Sequence, residues 1–170
     1  MAAGSALPIR AARALRSRNK GWVKVARQLE RFDNLIALFL TRVAEKGDAP
    51  FLWAKREGQW RPISWADAAR QVASLAASLK RIGLEPGDRV ALVSENRPEW
   101  LISDLAIMAA GCVTVPTYTT NTERDHAHVL GNSGARAVIV SNQKLAKNLI
   151  PAVSTLSSSR LAAPEASFVQ

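Results

Sequence analysis

Residues 89–141 read "RVALVSENRPEWLISDLAIMAAGCVTVPTYTTNTERDHAHVLGNSGARAVIVS", and the alternation inside this stretch decides the fold. "VALVS" is a short continuous apolar run, the pattern of a strand covered on both faces. Pro98 then stands where the first residue of a helix belongs, because the missing N–H is unpaired there in any case. The helix that follows buries Trp100, Leu101, Leu105 and Met108 and stops at Gly111. "CVTVP" is the second strand. Thr122 caps a short helix with Asp125 at its third position, running to Gly131, and "ARAVIVS" is the third strand. Val90 lies 23 residues before Val113, and Val113 lies 24 before Ala137. Two βαβ units of that length predict a parallel sheet with right-handed crossovers.

The pattern extends toward the amino terminus. "EPGD" (85–88) is a turn. Before it, Ser64 opens a long helix, with Asp67 completing a capping-box-like pair. The apolar stripe of that helix is Trp65, Ala68, Val72, Leu75, Leu79 and Ile82, and Gly83 is the stop. "FLWAKREGQWRPISW" predicts a hairpin turning at Glu57-Gly58, with Pro62 at an edge or strand end. Asp33 is the expected cap of an earlier helix that ends at Gly47, with Leu35, Leu38, Phe39, Arg42 and Val43 in register. Toward the carboxyl terminus, Asn142 begins a last helix expected to stop before Pro151. Residues 152–170 are small and Ser-rich and predict a disordered or aberrant tail, such as a frameshifted ending.

Charge divides the chain. Residues 1–31 hold eight basic groups against Glu30, so they carry +7 of the net +9, and the remaining residues carry only +2. The basic balance describes an arm and gives no support for a nucleic-acid-binding domain. Three readings of the arm compete: an Arg-rich organellar transit peptide, a segment touching anionic lipid, and an extension without function. The last is preferred, because the arm ends where patterned sequence begins. Localisation is then cytoplasmic, with possible peripheral membrane contact; a mitochondrial location is the alternative if the arm is a transit peptide. The longest apolar stretch, 105–115, is too short to span a bilayer, which needs about 20 residues. Cys112 is the single cysteine, which excludes an internal disulfide, and it reads as a packing residue.

Several residues invite a chemical reading. The hydroxyls and amide of Thr117, Tyr118, Thr119, Thr120, Asn121 and Thr122 follow a strand, as ligand loops do in α/β sheets. They bring no glycine, lysine or arginine, so a loop with a helix cap is the preferred reading. His126 and His128 lie two apart, on different helix faces, and read as a solvated surface rather than a metal pair. Glu95, Asn96, Arg97 and Glu99 surround a strand end without a His to make an acid–base set, and Glu99 suits the positive end of a helix dipole. Trp53, Trp60, Trp65 and Trp100 read as core and hairpin packing rather than base-stacking platforms. Arg124 and Arg136 read as surface charges. No P-loop and no G-x-G-x-x-G occurs.

"GDRVALVSENRPEW", "AAGCVTVPTYTTNT" and "HVLGNSGARAVIVS", in this order and spacing, resemble the start of the large domain of AMP-forming acid–CoA ligases, most closely the long-chain fatty acyl-CoA synthetases. "FLWAKREGQWRPISWADAARQVASLAASLKRIGLEPGDRV" matches the lead-in. The likeness covers about residues 31–151. It implies an α/β fold with a three-stranded parallel βαβαβ core plus an N-terminal helix and hairpin. Residues 32–151 would be an incomplete AMP-binding synthetase subdomain. It also implies a chemistry in which a fatty acid attacks the α-phosphate of ATP and coenzyme A then displaces AMP, with Mg²⁺ as the metal. The family's working parts are a Ser/Thr/Gly-rich loop ending in Lys, an acidic Mg²⁺ residue, an Asp on the ribose and a Lys on a mobile domain. None has a matching position here. No catalytic, cofactor-binding or metal residue is therefore assigned, and the chain is expected to be an inactive fragment. The alternatives are a stand-alone nucleotide-binding module and an interaction protein that pairs with a ligase.

Overall fold

The computed structural model of the chain describes residues 30–159 and 167–169. The basic arm lies outside the described residues except at its last two positions. Contacts divide the chain into two units, Met1–Asn34 and Leu35–Gln170, and every element below belongs to the second. In order they are α1 (Leu35–Lys46), β1 (Pro50–Arg56), β2 (Gln59–Ser64), α2 (Trp65–Arg81), β3 (Arg89–Val93), α3 (Pro98–Ala109), β4 (Val113–Thr117), α4 (Glu123–Ser133), β5 (Ala137–Val140), α5 (Gln143–Ser159) and β6 (Ser167–Val169).

The parallel core is as the spacing predicts. β3 pairs in parallel with β4 from Arg89↔Val113 to Val93↔Thr117, and with β5 from Val90↔Ala137 to Val93↔Val140. The order is β4-β3-β5-β6. Side chains alternate across the sheet, so each face has its own core. Val90, Leu92 and Ile139 point to the side of α2 and α3, with Val72, Leu79 and Leu105. Ala91, Val93, Val138 and Val140 point to the side of α4 and α5, with Leu130 and Leu149. An aromatic cluster ties the first elements together: Phe51 of β1 stacks on Trp65 of α2 at 3.8 Å, and Phe39 of α1 lies 5.9 Å from Phe51.

β4 is an edge strand, and its proline faces outward. Val113 donates to the Asp88 carbonyl at 2.8 Å. Residues 113, 115 and 117 therefore direct their backbone groups to β3, while Thr114 and Pro116 direct theirs to the open side. Pro116 removes a donor where no ladder needs it, as edge prolines do. Gly111 is required by contact as well as by backbone. Its φ is +84°, a Cβ there would lie 3.2 Å from Pro86 Cβ, and its carbonyl accepts from Gly87 N at 2.8 Å. The hairpin turns at Glu57 and Gly58, with φ of 51° and 79°, the left-handed pair of a tight two-residue turn.

Several sequence expectations are corrected. α1 begins at Leu35, so Asn34 rather than Asp33 precedes it. Its buried face is Ile36, Phe39 and Val43, and Leu35 is exposed. α4 continues past Gly131 to Ser133 and ends at Gly134, whose φ of 63° is the left-handed stop. α5 does not stop before Pro151 but runs through it to Ser159. Leu149, Ala152 and Val153 are buried around the proline, and this packing outweighs a helix-interior proline cost of about 3 kcal/mol. The tail read as patternless supplies the end of α5 and also β6, which pairs in parallel with β5 from Ala137↔Ser167 to Ile139↔Val169. Residues 160–166 and 170 lie outside the described residues.

Candidate functional site

In an open parallel sheet, ligands gather beyond the carboxyl ends of strands whose connections leave to opposite faces. β3 and β5 are such neighbours. β3 leads into α3 on one face, and β5 leads into α5 on the other. Segments 94–97 and 141–142 meet at that point. Ser141 Oγ donates to Glu95 Oε2 at 2.5 Å, and Asn142 Nδ2 donates to Glu95 Oε1 at 2.9 Å. Asn142 also caps α5, its Oδ1 accepting from Leu145 N at 3.0 Å. The Ser141 hydroxyl, with help from Asn142 and Arg97, holds the Glu95 carboxyl below the usual range. Glu95 is thus an anionic pin across two strand ends, with hydroxyl and amide partners and no imidazole.

Beside the pin, Arg97 Nε donates to Glu99 Oε2 at 2.8 Å, and Arg56 Nη2 of β1 lies 3.5 Å from Glu99 Oε1. Arg97 chiefly holds the Glu99 carboxyl below its ordinary value, and Glu99 raises Arg97 in turn. The dipole reading of Glu99 is incomplete: two guanidiniums hold it, and one comes from the distant hairpin. An open groove of about 760 Å³ runs between β1 and this loop, bordered by Trp53, Arg56, Glu95, Arg97 and Asn142.

The hydroxyl loop after β4 closes on itself. Asn121 Nδ2 donates to Thr117 Oγ1 at 2.7 Å, and Asn121 N donates to the Tyr118 carbonyl at 3.3 Å. Thr122 makes a full capping box: Asp125 N donates to its Oγ1 at 3.4 Å, and its own N donates to Asp125 Oδ2 at 2.9 Å. That reciprocal contact lowers the Asp125 carboxyl. Thr122 therefore has the cap task read from the sequence. Tyr118 stands out at 79% exposed.

Two surface readings, of His126 and Arg136, and one packing reading, of the hairpin tryptophans, are overturned. His126 is buried while His128 is exposed; the two do face apart, but only one is solvated. His126 lies four residues before buried Leu130, so the helical stripe would have placed it inward. Its burial lowers the imidazole's pKa, against a smaller opposing pull from Asp125. Arg136 is not a lone surface charge. Its Nη1 donates to Asp88 Oδ2 at 2.7 Å, and the same oxygen accepts from Glu85 N at 2.8 Å. Trp65 and Trp100 pack as expected, but Trp53 and Trp60 of the hairpin are exposed. Arg124 is exposed, as read. Cys112 is buried, its thiol 3.5 Å from the Glu85 carbonyl oxygen, and burial raises its pKa. Among the described residues no group of three His, Cys, Asp or Glu could hold a metal ion, and no helix is long and apolar enough to cross a membrane.

Sequence reasoning missed the Glu95–Ser141 and Arg56–Glu99 contacts. Both join residues more than 40 positions apart; the β3–β5 register brings the first pair together, and the approach of the hairpin to the start of α3 brings the second.

A family model described as AMP-binding enzyme matches residues 39–167. The long-chain-fatty-acid–CoA ligase FadD15 of Mycobacterium tuberculosis is 38% identical over 105 residues, which are 61% of this chain and 17% of that protein. The long-chain-fatty-acid–CoA ligase ACSBG2 of Xenopus laevis is 31% identical over 113 residues, 66% of this chain and 15% of that protein. Among solved structures, Klebsiella oxytoca NpsA in complex with 3-hydroxyanthranilyl-AMSN superposes with a TM-score of 0.59 at 31% identity, over 66% of this chain and 22% of that one. The fatty acid AMP ligase from Legionella pneumophila shares the fold, with a TM-score of 0.61 at 19% identity over 69% of this chain and 21% of that one. The chain spans 15–17% of the length of the two curated relatives.

Proposed function

Because the chain belongs to the AMP-binding enzyme family, we propose that it is the amino-terminal portion of the adenylating domain of a long-chain fatty acid–CoA ligase. In the complete enzyme the reaction joins a fatty acid to coenzyme A, with ATP giving AMP and pyrophosphate. This portion supplies scaffold to that reaction and does not adenylate alone. The observation that carries the reading is the junction of the β3 and β5 carboxyl ends. There Glu95, Ser141 and Asn142 bind one another and leave no set of groups aimed at a phosphate.

Charge developing at the α-phosphate needs aimed donors and a metal, usually the largest catalytic contribution. The residues here do not fit a Mg²⁺–triphosphate group. Glu95 and Glu99 are tied to protein donors, the hydroxyls of Thr117 and Thr122 serve their own loop and cap, and no lysine follows a glycine-rich loop in the sequence. We propose a cytoplasmic location, on the reading of residues 1–31 as an extension without function.

The test is acid-dependent exchange of pyrophosphate into ATP by the purified chain, with a full-length ligase as positive control. No exchange above the protein-free level is expected. Exchange that survives repurification would refute the scaffold reading and make Thr117, Thr119 and Thr120 the first sites to substitute.

A further inference from the structure

We draw no further inference here: the strongest candidate, the open groove on the α2–α3 face of the sheet lined by Leu75, Leu92, Trp100, Ile102 and Ile139, is an unpartnered apolar face, and nothing in the structure shows what covers it.

Discussion

Leu79→Ala tests the core assignment most directly. Leu79 is fully buried in α2, in the cluster with Val90, Leu92 and Leu105. The substitution removes three carbons, about 2.4 kcal/mol at ~0.8 kcal/mol per buried methylene. A cavity that cannot collapse adds ~24 cal/mol for each Å³ left empty, which brings the expected loss to about 3–4 kcal/mol. Collapse here is restricted, because the rigid strand β3 lies on one side and α3 on the other. The assay is urea denaturation followed by far-ultraviolet circular dichroism, with the slope m compared to confirm that the same surface unfolds. Leu40→Ala is the control: Leu40 is 55% exposed, and its loss should stay within about 0.5 kcal/mol. If Leu79→Ala leaves too little folded protein to measure, Leu79→Val should still show roughly 1 kcal/mol or more. A Leu79→Ala cost below about 1 kcal/mol, or one equal to that of Leu40→Ala, would refute the packing of α2 on the sheet.

Thr122→Ala should destabilise by about 1 kcal/mol through loss of the cap, while Thr122→Ser keeps most of it; the same urea titration reads both. Arg136→Met should cost roughly 1–2 kcal/mol, less than a fully buried pair, because the Arg136 side chain is 31% exposed and that of Asp88 12%. For His126 the folded imidazole is depressed below 6.5 by burial. Below pH ~6.5 the unfolded chain takes up a proton before the folded one does, so stability is full above that pH and falls as the pH drops through the folded pKa. His126→Leu should remove this part of the pH dependence, seen as a flatter urea midpoint between pH 7 and the acid limb. Glu95→Gln acts in a lower window. Its carboxyl is depressed when folded, so its contribution is present above the unfolded carboxylate pKa and lost as pH falls through the folded one; the midpoint of the variant should change less with acid than that of the parent.

What was legible in the sequence follows from local rules. The three central strands were readable because apolar runs, Pro98, the Gly111 stop and the Thr122–Asp125 box all act within a few residues. Pro116 was legible as the end of a strand but not as an outward edge residue, because its direction depends on which neighbour β4 finds. Pro151 misled for the same reason. The local penalty is real, but Leu149, Ala152 and Val153 meet a sheet face that no window around the proline contains. β6 could not be read, since three residues gain strand character only by pairing with β5. At the candidate site, Glu95, Arg97 and Glu99 are noticed in the sequence but set aside for want of a His, and their partners Ser141, Asn142 and Arg56 are not connected to them. Trp53 and Trp60 were misplaced because strand alternation fixes which residues share a face and not which face is inward.

The outward proline of β4 bears on how copies of this chain can meet. An open sheet extends indefinitely only when both of its margins can pair, whether each takes its like or its opposite. Pro116 blunts one margin, and the short β6 lies at the other. Head-to-tail stacking into a fibre would have to pass through the blunted side in every copy. Contact through the β6 margin instead joins like to like, which closes at two copies under a twofold axis. A single imino ring thus removes one of the two outward N–H donors of β4 and weighs against growth of the sheet beyond a pair.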